Sequence, residues 1–342
     1  MLTLRTFAAA AAATCTLALA AGTATAEPVT LKFGHVFPET HYIWQHGGKH
    51  FADAVAASGT GIDFQYFPAG QLGRDYVSAM ESGLADVAIL VPSYTPAKLP
   101  LTSVAELPVA YKDGCEGTAK LWHIARDGGP LAGAELAPQG MRALFVTVLP
   151  GYKIVTTGKR VATMADVAGL KLRAAGPAME QTARAYGATP IQITGPETYD
   201  AMQRGTVDGA FFPYHAIPAF GLEPLIKNGI EGPSIGTATV IFAMSQAKWD
   251  ALTDDQRAAI DNAAMASQAY TCRWLEDEEA RVRQEMIDKH GYAPVVLSAD
   301  DTAAWQARLS SVSDDWVSRM ESQKLPGGEL LKAFRDAPTD LP

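Results

Sequence analysis

The stretch LKLRAAGPAMEQTARAYGATPIQITGPETYDAMQRGTVDGAFF, residues 170–212, decides the fold. Residues 170–174 read as a strand, Gly176-Pro177 breaks it, and residues 178–186 read as a helix. A strand at 189–193, a short helix at 196–203 and a strand at 207–212 follow. Strands alternating with helical patterns describe an α/β unit with a mostly parallel sheet. The same order occurs upstream: strand 29–33, helix 41–57, strand 62–66, short helix 75–82, strand 87–91. Two such units predict two lobes with a cleft between them, a common place for a small-molecule site. In these sheets ligands lie beyond the carboxyl ends of the strands. Those ends fall near His35, Phe67 and Pro92 in the first unit and near Arg173, Phe211 and Phe212 in the second.

Downstream, residues 237–244 read as a further strand, and Thr253-Asp254-Asp255-Gln256 fits a capping box. Helix formers continue to His290, with Gly291 as a stop. At 1.5 Å per residue that helix is roughly 55 Å long, enough to span both lobes. No Gly or Pro interrupts it. The tail from 301 to 337 reads as further helices around a loop at Pro326-Gly327-Gly328.

Residues 1–26 read as a secretory leader. Arg5 supplies the positive start, residues 7–21 the apolar segment, and Ala24-Thr25-Ala26 the small-x-small cleavage site. Its removal takes one positive charge from a chain of net charge −9, leaving −10. This acidic balance disfavours nucleic acid as a partner, because phosphate binding needs a basic surface. Hydrophobic residues at 48% and charged residues at 19% describe an ordinary globular chain. Nothing internal approaches the roughly 18 apolar residues of a membrane span. Export places Cys115 and Cys272 where thiols can pair. A disulfide and two buried free thiols both fit the sequence.

Three motifs point to chemistry. Gly232-Pro233-Ser234-Ile235-Gly236 matches G-x-S-x-G, which would make Ser234 the nucleophile of a secreted hydrolase. That motif needs a strand before it and a helix after it, whereas here a loop precedes and a strand follows. His46 and His50 are at i, i+4, which can place two imidazoles on one metal, but Gly47 stands where H-E-x-x-H needs Glu. A solvated helix face accounts for them better. Gly59-Thr60-Gly61 precedes a strand and lacks the third glycine of a dinucleotide fingerprint. No metal and no cofactor is expected.

Arg173 is the strongest single candidate. It ends an apolar strand, where its planar fork is positioned to hold a carboxylate through two parallel hydrogen bonds. Phe211 and Phe212 stand at the same cleft mouth, although successive strand residues face opposite ways, so core packing competes for at least one of them. His35, Tyr94, Tyr152, Tyr214 and Thr237 are further lining candidates by placement at strand ends, with Thr95 beside Tyr94.

Over nearly the whole mature chain the sequence resembles the extracytoplasmic solute-binding subunits of TRAP transporters, of the dicarboxylate-binding type. The residues that carry the resemblance are Phe67-Pro68-Ala69-Gly70-Gln71-Leu72-Gly73, the segment Met164-Ala165-Asp166-Val167-Ala168-Gly169-Leu170-Lys171-Leu172-Arg173, and the segment from Glu197 to Gly209 ending Thr206-Val207-Asp208-Gly209. It implies two α/β lobes with a long helix over both, here 27–150 plus about 239–278 and 151–238 plus about 279–330. It implies closure around an organic anion, delivery to membrane subunits driven by an ion gradient, a periplasmic location, a monomer and no catalysis. Arg173 matches the family's carboxylate-pairing arginine, and Lys153 stands where a second basic residue often lies. Phe212 stands where many members have an asparagine. A ring cannot make the amide's hydrogen bonds, which disfavours sialic acid or simple four-carbon dicarboxylates. It favours a monocarboxylate with an apolar or aromatic part, or a zwitterionic compatible solute such as ectoine held on an aromatic face.

Overall fold

A computed structural model of the chain describes residues 28–108 and 111–341. The leader assigned to 1–26 lies outside them. The first half runs β1 (Val29–Gly34), α1 (Lys49–Ala57), β2 (Ile62–Phe67), α2 (Tyr76–Glu81), β3 (Val87–Leu90), α3 (Gly114–Ala125) and β4 (Met141–Val148). Next come β5 (Lys153–Thr156), α4 (Met164–Val167), β6 (Lys171–Ala174), α5 (Pro177–Ala185), β7 (Thr189–Gln192), α6 (Thr198–Gln203), β8 (Gly209–Phe212) and β9 (Asn228–Glu231). The remainder is β10 (Thr239–Ser245), α7 (Gln246–Asp250), α8 (Asp254–His290), β11 (Ala293–Val296), α9 (Ala299–Ala307), α10 (Ser310–Ser322) and α11 (Gly327–Asp336).

The strands form two sheets, ordered β2-β1-β3-β10-β4 and β11-β9-β5-β8-β6-β7. In the first, β1 is parallel to β2 and β3, while β10 is antiparallel to β3 and β4. In the second, β6 is parallel to β7 and β8, and β5 is antiparallel to β8 and β9. The anticipated strands are present, but β4, β5, β9 and β11 and the helix α3 join them. The sequence MRALFVTV of β4 is buried on both faces, so it has no period-two alternation to reveal it. The chain passes from one sheet to the other between β4 and β5 and returns between β9 and β10, and these crossings connect the lobes.

Helix α8 runs unbroken for 37 residues, as its sequence predicts. Thr253 Oγ1 accepts from the Gln256 N–H, and the Thr253 N–H donates to Gln256 Oε1. At the other end Gly291 takes the left-handed conformation (φ 69°), which a side chain would strain. The first half of α8 buries Ile260, Ala263 and Ala264 against the first lobe's core. The second half buries Val282 and Met286 with Val155, Phe212 and Leu222. Cys272 on α8 is bonded to Cys115 on α3, with Cα atoms 5.1 Å apart. The solvated face expected for His46, just before α1, and His50, on α1, is not what the structure shows. His46 Nδ1 lies 2.9 Å from Tyr270 Oη and its ring stacks on Trp274, while His50 Nδ1 lies 2.9 Å from Ser267 Oγ and its ring stacks on Tyr270. Both imidazoles therefore serve to dock α8. Among the described residues no cluster of ligating side chains suited to a metal is found.

Candidate functional site

Between the lobes lies a narrow cavity lined by residues of both. The first lobe contributes Phe37, His41 and Tyr42 from the segment after β1, and Ser93 and Tyr94 from the segment after β3. The second contributes Arg173 from β6, Phe212 from β8, and Gly195 and Phe220 from loops, while Tyr152 comes from the crossing before β5 and Thr239 opens β10. This is the strand-end placement that parallel sheets impose.

Arg173 is 2% exposed. Its Nε–H donates to the Ile193 carbonyl at 2.8 Å and its Nη1–H to the Phe211 carbonyl at 3.1 Å, which locks the guanidinium in place. Its Cζ sits 5.4 Å from the centre of the Phe212 ring. Among the described residues no carboxylate forms an ion pair with it. A buried cation without a counter-ion is costly unless something anionic joins it. The field of Arg173 reaches Tyr42 and Tyr152, whose hydroxyls make no hydrogen bond among the described residues. Burial raises the pKa of both phenols, so they remain neutral donors. Most of the rest of the wall is aromatic and aliphatic, with the polar side chains of His41, Ser93, Tyr94 and Thr239 among it.

The lobes touch across this cavity. Tyr94 Oη accepts from the Gly195 N–H at 3.0 Å. A Cβ at Gly176 would come within 2.7 Å of the Ser93 Cβ, and one at Gly195 within 3.2 Å of the Tyr94 hydroxyl. These two glycines let the second lobe approach the first. The His41 ring lies 5.3 Å from that of Phe220, and Tyr42 meets His215 edge-on at 5.0 Å.

Of the residues singled out from sequence, Arg173, Phe212, Tyr94 and Tyr152 line the cavity together. Five do not. Lys153 is turned away: its Nζ donates to the Gly151 carbonyl and pairs with Glu279 Oε1 at 3.1 Å. Glu279, on α8, also accepts from the His215 N–H and meets His215 Nδ1, each at 2.8 Å. Burial alone would raise the Glu279 pKa, but Lys153 and His215 outweigh it and bring it down to about 2. Lys153 therefore already has its anion. Tyr214 Oη is bound to Glu231 and Tyr292. Thr237 Oγ1 donates to the Leu149 carbonyl at 2.8 Å and holds the crossing segment. Phe211 belongs to the core on the opposite face of β8 from Phe212. His35 stacks on Trp44, and burial lowers its pKa to about 4.

Sequence reading missed Phe37, His41, Tyr42, Ser93, Phe220 and Thr239. Loops from both lobes supply most of them, so no periodicity marks them. The one available signal was that Ser93 and His41 follow strands whose carboxyl ends face the cleft. Ser234 is followed by an extended segment and β10, without the helix a nucleophile elbow requires.

The family model described as bacterial extracellular solute-binding protein, family 7, matches residues 33–319. The C4-dicarboxylate-binding periplasmic protein DctP of Rhodobacter capsulatus is 26% identical, over 98% of this chain and 99% of that protein. A TRAP solute-binding protein of Rhodoferax ferrireducens, solved with copurified benzoate, superimposes with a TM-score of 0.79 at 27% identity, covering 90% of this chain and 96% of that one. A marine metagenome TRAP solute-binding protein specific for aromatic acids, solved with 3-hydroxybenzoate, gives a TM-score of 0.81 at 26% identity, covering 91% and 98%.

Proposed function

The chain belongs to the bacterial extracellular solute-binding proteins of family 7, and we propose that it captures an aromatic or otherwise apolar monocarboxylate between its lobes for delivery to TRAP membrane subunits. One observation carries the ligand class: a locked arginine, buried and without a counter-ion among the described residues, faces a cavity walled by Phe37, Tyr42, Tyr152, Phe212 and Phe220. One cation suits one carboxylate. A second carboxylate would be buried without a partner, which costs several kcal/mol. Lys153 does not supply that partner, because Glu279 already holds it. Two relatives whose bound ligands are aromatic acids support the same reading. The monocarboxylate is favoured over a zwitterion such as ectoine, because Phe212 already lies against the Arg173 guanidinium.

In this account the protein works without catalysis, as a periplasmic monomer exported by its leader, and closure of the two lobes assigned from sequence encloses the ligand. A ligand drives closure only by binding the closed state better than the open one. The contacts of Tyr94 with Gly195 and of Ser93 with Gly176 form across the closed cleft. Two measurements test the proposal. Purified protein is denatured and the released small molecules are identified, and thermal unfolding is followed with aromatic monocarboxylates, C4-dicarboxylates, sugar acids and ectoine. A ligand present at a hundred times its Kd adds about 2.7 kcal/mol. Stabilisation by aromatic monocarboxylates is the expected result. Stabilisation by dicarboxylates or ectoine alone would overturn the ligand class, and turnover of ester substrates lost in Ser234→Ala would overturn the binding function.

A further inference from the structure

Two buried polar atoms at the cavity have no role in holding the fold. The Nε2 of His41 and the Oγ of Ser93 are both shielded from solvent and without a hydrogen-bond partner among the described residues. Their residues are 3% and 2% exposed and both line the cavity. The ring nitrogens of His41 have distinct states. Nδ1 accepts from the Ile43 N–H at 3.2 Å, so it carries no proton. Burial, with smaller contributions from His215 and His35, lowers the pKa of His41 to about 3. The imidazole is neutral near pH 7, and its one proton is on Nε2. The ring cannot turn to hide that proton, because it is stacked at 4.2 Å on both Phe37 and Tyr42. A buried N–H left unpaired is costly, and a ligand oxygen removes the cost.

We propose that His41 and Ser93 form a second, uncharged pole of the cavity that selects an aromatic monocarboxylate bearing an additional uncharged oxygen, a hydroxyl or a carbonyl. The inference rests on the reading under Proposed function and adds to it a specificity-determining residue. The two poles differ in kind. Arg173, on the second lobe, takes charge; His41 and Ser93, on the first lobe, give and accept single hydrogen bonds. A ligand reaching both bridges the lobes, so its extra oxygen strengthens closure as well as contact. A neutral donor also fits a hydroxyl or carbonyl without the counter-charge that a second carboxylate would require.

The test measures Kd by calorimetry for two matched pairs, benzoate with 3-hydroxybenzoate and phenylacetate with mandelate, on the wild type and on His41→Phe and Ser93→Ala. His41→Phe keeps a ring between Phe37 and Tyr42 and removes the donor. The readout is the ratio of the two Kd values within a pair, which cancels losses common to both ligands. The wild type is expected to prefer the oxygenated member of at least one pair by about tenfold, the worth of one hydrogen bond. In His41→Phe that ratio is expected to fall to within about twofold of unity, with a smaller fall in Ser93→Ala. A wild type without preference, or a His41→Phe that keeps it, overturns the inference while leaving the aromatic-acid reading in place. Failure of all four acids to bind overturns both. Should His41→Phe not fold, nitrogen-15 imidazole spectra of the wild type decide. A protonated Nε2 whose resonance moves further with 3-hydroxybenzoate than with benzoate supports the pole, and a protonated Nδ1 or an imidazolium refutes it.

Discussion

Replacing Arg173 by alanine should separate binding from folding. In the unliganded protein the guanidinium gives two hydrogen bonds, to the carbonyls of Ile193 and Phe211, and losing them costs about 1 kcal/mol each. Against this, the mutation removes a buried charge that no carboxylate among the described residues offsets, a gain of similar or larger size. The two effects oppose, so the unliganded stability is expected to change by less than about 2 kcal/mol. Binding has no such compensation. A carboxylate about 4 Å from the guanidinium gains about 4 kcal/mol at an effective dielectric of 20. Truncating one partner of a buried charge pair costs about 2–4 kcal/mol, which is roughly 30- to 700-fold in Kd. Arg173→Lys should fall between, because a point charge cannot reproduce the fork. The assay pairs urea unfolding of the ligand-free variants with calorimetric titration by benzoate. A variant that loses more than about 4 kcal/mol of stability yet binds benzoate as tightly as the wild type would refute the argument, since Arg173 would then be a structural residue.

Three further outcomes follow from the same geometry. Phe212→Asn should weaken benzoate by about tenfold, through lost apolar contact and an amide left without a partner; tighter binding by calorimetry would contradict the aromatic wall. Cys272→Ala opens a loop of 157 residues between α3 and α8 and should lower stability by roughly 3–5 kcal/mol in the chain-entropy treatment; an unchanged urea midpoint under oxidising conditions would exclude that role. Glu279 has its pKa depressed from 4.5 to about 2, so its contribution, on the order of 3 kcal/mol, is present above pH 4.5 and is lost as pH falls toward 2. The stability gap between wild type and Glu279→Gln should therefore narrow between pH 5 and pH 2.5, and a gap constant with pH would show that the ionised carboxylate is not what holds Lys153 and His215.

Local signals made much of the fold legible. The capping box at Thr253 and the stop at Gly291 delimit α8 to the residue, because both ends are set by side chains and backbone within a few positions of each other. Strands β6, β7 and β8 stand out because helices with clear breaks separate them. Strand β4 does not: it is apolar throughout, and what makes it a strand is pairing with β10, almost a hundred residues on. The site divides in the same way. Arg173 is conspicuous as a charge ending an apolar strand. Lys153 looked equivalent, but its partner Glu279 is 126 residues away on α8, and only the tertiary structure shows the cation already paired. His41, Ser93 and Phe220 come from three loops brought together by the approach of the lobes, and spacing along the chain carries no record of that.

The most direct test of the central claim is a head-to-head calorimetric titration of the mature, ligand-stripped protein with benzoate and with succinate. With one unpaired cation among the described residues of an aromatic cavity, benzoate is expected to bind one-to-one and at least about a hundredfold more tightly than succinate, a difference of about 2.7 kcal/mol. Succinate binding as tightly as benzoate, or more tightly, would show that the cavity neutralises two carboxylates and would contradict the assignment of a monocarboxylate to Arg173.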